Sequence, residues 1–155
     1  MRKTSQGFTI IEVMIVVTII SVLASIVMPF IRVNTIRVKM SEAILAFGTC
    51  RNMVTEMYQA GGDIPDEGAW GCEITKDASR YVDSVQTKDP GKIVVSLRGF
   101  NDGRIDFNDL TLMPLDNTGN PPSGNGAPIR RWRCGAAADG TNVPPQYLPT
   151  SCRGN

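Results

Sequence analysis

The chain carries few residues able to do chemistry, and one of the most versatile types is missing. There are four cysteines, Cys50, Cys72, Cys134 and Cys152, and no histidine. Imidazole is the usual general base, zinc ligand and nucleophile activator, so its absence excludes His-dependent hydrolases and most zinc enzymes. That argues against an enzyme, and neither a cofactor nor a metal is expected. The cysteine spacings match no CxxC motif of a metal or redox centre, which leaves two disulfides as the better reading. Four cysteines allow three connectivities; in chain order they fall as Cys50 with Cys72 and Cys134 with Cys152. Disulfides belong outside the cytoplasm, whereas the alternative, four reduced thiols packed as small hydrophobes, sets no compartment.

Three other groups invite a chemical reading. Asn101, Asp102, Gly103, Arg104, Ile105, Asp106 and Asp109 resemble the second half of a calcium-binding loop, but Arg98 and Phe100 stand where its first carboxylates are needed. A turn-rich loop between strands is the better account. Arg130, Arg131 and Arg133 surround Trp132, a composition suited to phosphates and a stacked base. On a strand, however, Arg131 and Arg133 share one face while Trp132 and Cys134 share the other, so Trp132 is expected in the core. Nucleic acid is only weakly supported as a partner. The third group is a single residue, Glu12, the one charge between positions 8 and 31. A carboxylate in hydrocarbon is costly unless it is paired or snorkels to the interface.

Elements must hold these residues, and the apolar pattern says which. The chain has 155 residues, 42% of them hydrophobic, and a net charge of +1, the size of one ordinary domain with no broad pull toward nucleic acid or anionic lipid. Its apolar residues concentrate in 8–31, which as a helix would be ~36 Å long against ~30 Å of bilayer hydrocarbon. One membrane anchor is expected there. A signal-peptidase site would have to use Ala24, a poor match. Arg2 and Lys3 precede the span while Arg32, Arg37 and Lys39 follow it, so basic residues leave its orientation open. The disulfides decide for an N-in, C-out topology.

The helical pattern continues past the span. Ile36, Met40, Ala43, Phe47, Cys50, Val54 and Met57 recur at alternating steps of four and three, with Arg37, Lys39, Glu42, Arg51 and Glu56 between them. That is one apolar stripe, packed on a globular head. Gly61 and Gly62 should stop the helix, and Pro29 predicts a kink because it removes one backbone bond. Phe8, Phe30, Phe47 and Tyr58 read as packing residues rather than an electron path. A polar loop over 61–79, tied to the helix through Cys50, then gives way to strand patterns. Strands are predicted over 80–87, 92–99, 109–116 and 129–135, the first pair joined by a type II turn at Lys88-Asp89-Pro90-Gly91. The segment closing on Cys152 has few apolar anchors, so its bridge is expected to be the more important one.

Gly7-Phe8-Thr9-Ile10-Ile11-Glu12, followed by the apolar run with Pro29, resembles the start of a type IV prepilin. Trp132-Arg133-Cys134, Tyr147-Leu148-Pro149 and Ser151-Cys152-Arg153 resemble the disulfide-bounded C-terminal region of type IVa pilins. The resemblance covers the first third and the last sixth of the chain. It implies that residues 1–7 are a leader cut after Gly7 by a prepilin peptidase, that the new terminal Phe8 is N-methylated, and that Glu12 pairs with the Phe8 ammonium of a neighbouring subunit to set the assembly register. Ser21 departs from the family, which usually has glycine there. A serine can bond to the preceding turn and bend a helix, so it substitutes in part for a helix that loosens between Ser21 and Pro29.

The expected fold is α+β: a long helix over 8–60, whose 8–31 half spans the membrane and assembles, packed on a four-stranded antiparallel sheet in a head over 80–155 with a C-terminal disulfide-bounded loop. The expected function is structural, a homopolymer forming a type IV pilus on the bacterial surface, with the inner membrane, the prepilin peptidase and the assembly machinery as partners. Two other readings stand beside it: a DNA-binding minor pilin of a competence pilus, and a pseudopilin of a type II secretion system.

Overall fold

The computed structural model describes residues 7–154, with two units, one ending at Thr35 and the other beginning at Ile36. The expected leader residues Arg2 and Lys3 lie outside the described residues. One helix, α1 (Ile10–Ala60), contributes to both units.

In the first unit α1 starts at Ile10, two residues later than the apolar pattern does. The Thr9 carbonyl accepts from the N–H groups of Glu12 and Val13 at 3.1 and 3.3 Å, which closes the first turn. The hydroxyls of Thr18, Ser21 and Ser25 turn back onto the helix. They donate to the carbonyls of Ile15, Val17 and Val22 at 2.7, 2.8 and 2.7 Å, the back-bonding that lets a polar side chain sit in an apolar helix. The helix runs unbroken through position 29.

In the second unit α1 buries one stripe: Ile36, Met40, Ala43, Phe47, Cys50, Val54 and Tyr58. The last member differs from the expected one. Met57 is 38% exposed while Tyr58 is 2% exposed, because Tyr58 stacks on Trp70 with ring centroids 6.1 Å apart and donates its hydroxyl to the Pro90 carbonyl at 2.9 Å. A step of four from Val54 reaches the hairpin; a step of three does not. The helix ends at Ala60, before Gly61 in the left-handed region.

The sheet is an antiparallel meander of β1 (Val82–Lys88), β2 (Lys92–Leu97), β3 (Asp109–Leu115) and β4 (Arg131–Cys134). The rows Val85-Val95-Leu110 and Thr87-Ile93-Leu112-Cys134 run across it in register and are buried. Alternation puts both rows on one face, where cavities bounded by α1 also touch Val85, Leu112 and Cys134. The other face is covered too, by the segment after β4, whose Thr141 hydroxyl meets the Thr111 hydroxyl at 2.7 Å. β3 is therefore buried from Leu110 to Leu115, which is why that stretch is apolar except for Thr111, whose hydroxyl Thr141 satisfies.

The β1–β2 turn departs from expectation. Gly91 N–H donates to the Lys88 carbonyl at 2.8 Å around a cis Asp89–Pro90 peptide, so proline occupies the third turn position, where a type II turn would need a residue with positive φ. Gly91, at φ +87°, is required next to it: a Cβ there would lie 2.8 Å from Val54 Cγ1 and against Trp70 and Tyr58.

Candidate functional site

Two regions carry the residues singled out in the sequence. At the start of α1, Phe8 is 83% exposed, and every large apolar side chain from there to Ile31 is at least 50% exposed. Glu12 lies in the first helical turn, where the helix dipole favours a carboxylate. The Thr9 hydroxyl donates to it at 3.5 Å, a Thr-x-x-Glu spacing typical of a helix start. Gly7, Phe8 and Glu12 thus sit together at one end of an apolar helix long enough to cross a membrane.

The second region is the cysteine framework of the head. Cys50 and Cys72 are bonded with Cα atoms 5.1 Å apart, and Cys134 and Cys152 with Cα atoms 4.5 Å apart. Sequence reading missed what shapes the chain around each bridge. At the first, the Glu73 carboxylate accepts from the N–H groups of Trp70, Gly71 and Cys72 at 2.9, 2.8 and 3.0 Å and from the Thr87 hydroxyl. Burial pushes its pKa up, but the Thr87 hydroxyl and the backbone donors outweigh that and hold it below the usual carboxylate value. At the second, Gly135 has φ +75° and a Cβ on it would lie 2.3 Å from the Cys152 carbonyl oxygen. Arg133 forms a two-pronged pair with the buried Asp139 at 2.8 and 2.7 Å, and that hydrogen bonding raises the guanidinium pKa. No short motif announces an Arg and an Asp six residues apart across a turn. The C-terminal segment is better anchored than its composition suggested: Val143, Tyr147 and Leu148 are all buried.

The remaining candidates resolve into structural roles. The Asp102 carboxylate holds Arg104, Asp106 accepts from the Phe100 and Asp102 N–H groups, and Asp109 accepts from Ser96. Asp102 and Asp106 are spent on their own turn and Asp109 on the neighbouring strand, and no group of three or more metal-ligating residues exists among the described residues. Trp132 is half-buried rather than in the core, with the Arg51 guanidinium 5.8 Å from its ring centroid. β4 is an edge strand four residues long, which leaves one side of the indole uncovered by sheet.

Residues 37–153 match the family model for pilin, the bacterial filament, and residues 2–28 match the prokaryotic N-terminal methylation motif. The chain is 30% identical to a fimbrial protein of Neisseria meningitidis serogroup A, covering 99% of this chain and 96% of the relative. It is 29% identical to a type IV major pilin protein PilE1 of Neisseria gonorrhoeae, covering 100% and 98%. It is 32% identical to the fimbrial protein EcpC of Eikenella corrodens, covering 99% and 94%.

Proposed function

The chain belongs to the pilin family of bacterial filament subunits, and from that premise we propose how this subunit is made and assembled. The leader is removed between Gly7 and Phe8, the Phe8 amine is methylated, and the processed subunit polymerises with its own kind into a type IV pilus. The relatives above are fimbrial proteins and type IV major pilins, which supports a filament-forming role over a secretion or competence accessory. The role is structural rather than catalytic.

One observation carries this reading. From Phe8 to Ile31 the helix exposes every large apolar side chain by 50% or more, and Glu12 is its only charge. So much apolar surface has to be covered from outside the chain. Lipid covers it before assembly, and copies of the same helix cover it in the filament, where water is the alternative and burial is favourable. Glu12 then sets the register, because the ammonium of the next subunit's Phe8 offsets the cost of a carboxylate among apolar side chains. Ser21 and Pro29 mark the stretch in which the helix would yield during that packing, Pro29 for want of an N–H and Ser21 through its bond to the Val17 carbonyl. Two disulfides in the head agree with export to an oxidising side, N-in and C-out, and then to the cell surface.

Intact-mass measurement of the surface protein tests the processing step: it is expected to begin at a singly methylated Phe8. Gly7→Val is expected to leave an uncleaved precursor in the membrane, since a branched side chain obstructs approach to the backbone at the cut. A wild-type surface protein that still begins at Met1 would overturn the reading.

A further inference from the structure

The end of the head at which α1 enters carries a ring of side chains that assembly through the helix does not use. Arg37 donates twice to the Gln146 carbonyl, at 3.0 and 2.8 Å. The next residue, Tyr147, has the Arg104 guanidinium 5.3 Å from its ring centroid. Three residues beyond Arg104, the Phe107 N–H donates to the Leu97 carbonyl at 2.8 Å, and the Arg98 N–H donates to the Tyr81 carbonyl at 3.2 Å. The Tyr81 ring holds two cations, Lys39 at 5.2 Å and Arg80 at 5.6 Å, and Lys39 returns the circuit to α1.

Two properties of this ring stand out. Arg37, Lys39 and Arg80 form no ion pair among the described residues, while the nearby carboxylates are engaged: Asp102 with Arg104 at 2.8 Å, Glu42 with the Tyr81 N–H at 3.4 Å, and Asp106 with the Phe100 N–H at 2.8 Å. The second property is Phe107, which at 84% is the most exposed large apolar side chain of the head. Its φ of +63° is a left-handed conformation that bulky residues rarely adopt, and such outliers cluster where a side chain is held out for a purpose.

Cations without carboxylate partners, a half-buried tyrosine and an aromatic held out into solvent make up a surface suited to a lipid interface. Chain connectivity keeps Arg37 close to the apolar segment. The apolar segment ends at Ile31 and Arg37 follows six residues later, a gap of ~20 Å even if fully extended. We propose that this ring docks on anionic phospholipid headgroups while the subunit is held in the membrane, with Phe107 entering the interfacial layer and Arg37, Lys39 and Arg80 meeting phosphates. The proposal rests on the membrane-anchored stage of the reading above.

The test uses the full chain reconstituted in phosphatidylcholine vesicles with or without phosphatidylglycerol. Flotation reports anchoring separately from docking. Phe107→Trp, with the emission of Trp70 and Trp132 in the unsubstituted chain subtracted, reports docking through quenching by brominated lipid. Quenching is expected with phosphatidylglycerol, with the docking equilibrium falling about fivefold for each cation removed as Lys39→Gln or Arg80→Gln. Melting of each variant in detergent must match the parent, which keeps misfolding apart from lost docking. A chain that floats but shows no F107W quenching in either vesicle overturns the docking and leaves the anchoring standing. Emission that responds to protein concentration and not to brominated lipid also overturns it, and assigns the ring to contacts between copies. A chain that does not float overturns both.

Discussion

Along α1, Ile19 and Phe47 are residues of similar character in opposite circumstances: the first is 55% exposed and the second 3%. From Phe8 to Ile31 apolar residues fall on every side of the helix, and every large one is exposed. From Ile36 on, one apolar stripe is buried, and only isolated apolar residues such as Val38 and Leu45 stay exposed beside it. An all-round apolar helix is a demand for a partner outside the chain, whereas a periodic one has its partner inside. The difference separates two kinds of defect. Substitutions in the first half should change what the subunit assembles with, and substitutions in the second half should change whether the head folds.

The sharpest break in that comparison should come from Glu12→Val. It makes the span more apolar, so membrane insertion is expected to be intact or improved, while fibres are expected to be absent or severely reduced when no wild-type subunit is present. Abundant normal fibres seen by electron microscopy would remove the pairing argument.

Next in size, Phe47→Ala should cost the head about 3–5 kcal/mol by opening a cavity between α1 and the sheet. Ile19→Ala should leave the head's melting curve unchanged and lower only filament stability. Thermal melts of the full chain in detergent, beside shear resistance of fibres, would tell these apart, and an Ile19→Ala that lowered the melt would erase the distinction.

The bridges give a finer test. The disulfide-bounded loops are of similar length, with separations of 22 and 18 residues, so chain entropy assigns each ~3 kcal/mol. The buried Val143, Tyr147 and Leu148 remove the reason to expect the C-terminal bridge to dominate. Replacing either pair by serines, Cys50 with Cys72 or Cys134 with Cys152, should lower stability by amounts within about 1 kcal/mol of each other. A markedly larger loss from one pair would mean that its loop has little other support.

The smallest effect is one of pH. Glu73 is held below its ordinary value of 4.5 in the fold, so the unfolded chain binds the proton more readily than the folded one. Its stabilisation is complete above the unfolded pKa and is lost as pH falls through the folded pKa. The head's melting midpoint should therefore drop on acidification, and Glu73→Gln should reduce that part of the slope. An unchanged slope would show that the hydrogen bonds from Trp70, Gly71, Cys72 and Thr87 do not depend on the charge.

Much of this was legible in the sequence because it is carried by pattern. The stripe from Ile36 to Val54, the four strands and the Gly-Phe junction each follow from spacing or from a short motif. The misses have physical causes of their own. Tyr58 replaced Met57 because the partner at that level is the Pro90 carbonyl, a tertiary contact that no helical period encodes. The hairpin turn differed because the isomer of an X-Pro bond does not follow from residue identity alone. Glu73 and Asp139 were overlooked because their donors are mostly backbone N–H groups or an arginine brought near by a turn that no motif marks. Trp132 was expected in the core because alternation gives the face of a residue and not whether that face is covered.

The pairing of the loop between α1 and β1 with the outside of the sheet has a consequence for the kind of polymer this chain forms. Along β1 the Val85 N–H and carbonyl are both bonded to Ile74, at 2.8 and 2.9 Å, while Gly68 N–H reaches the Thr87 carbonyl at 3.1 Å and Ser79 N–H the Val82 carbonyl at 2.9 Å. At the opposite margin the Cys134 carbonyl is taken by Gly154 at 2.6 Å, and the strand itself is short and arginine-rich. Unpaired strand edges are templates for runaway strand addition, and short, charged or covered edges block it. A subunit concentrated to the point of polymerising is thereby kept from the amyloid-like route.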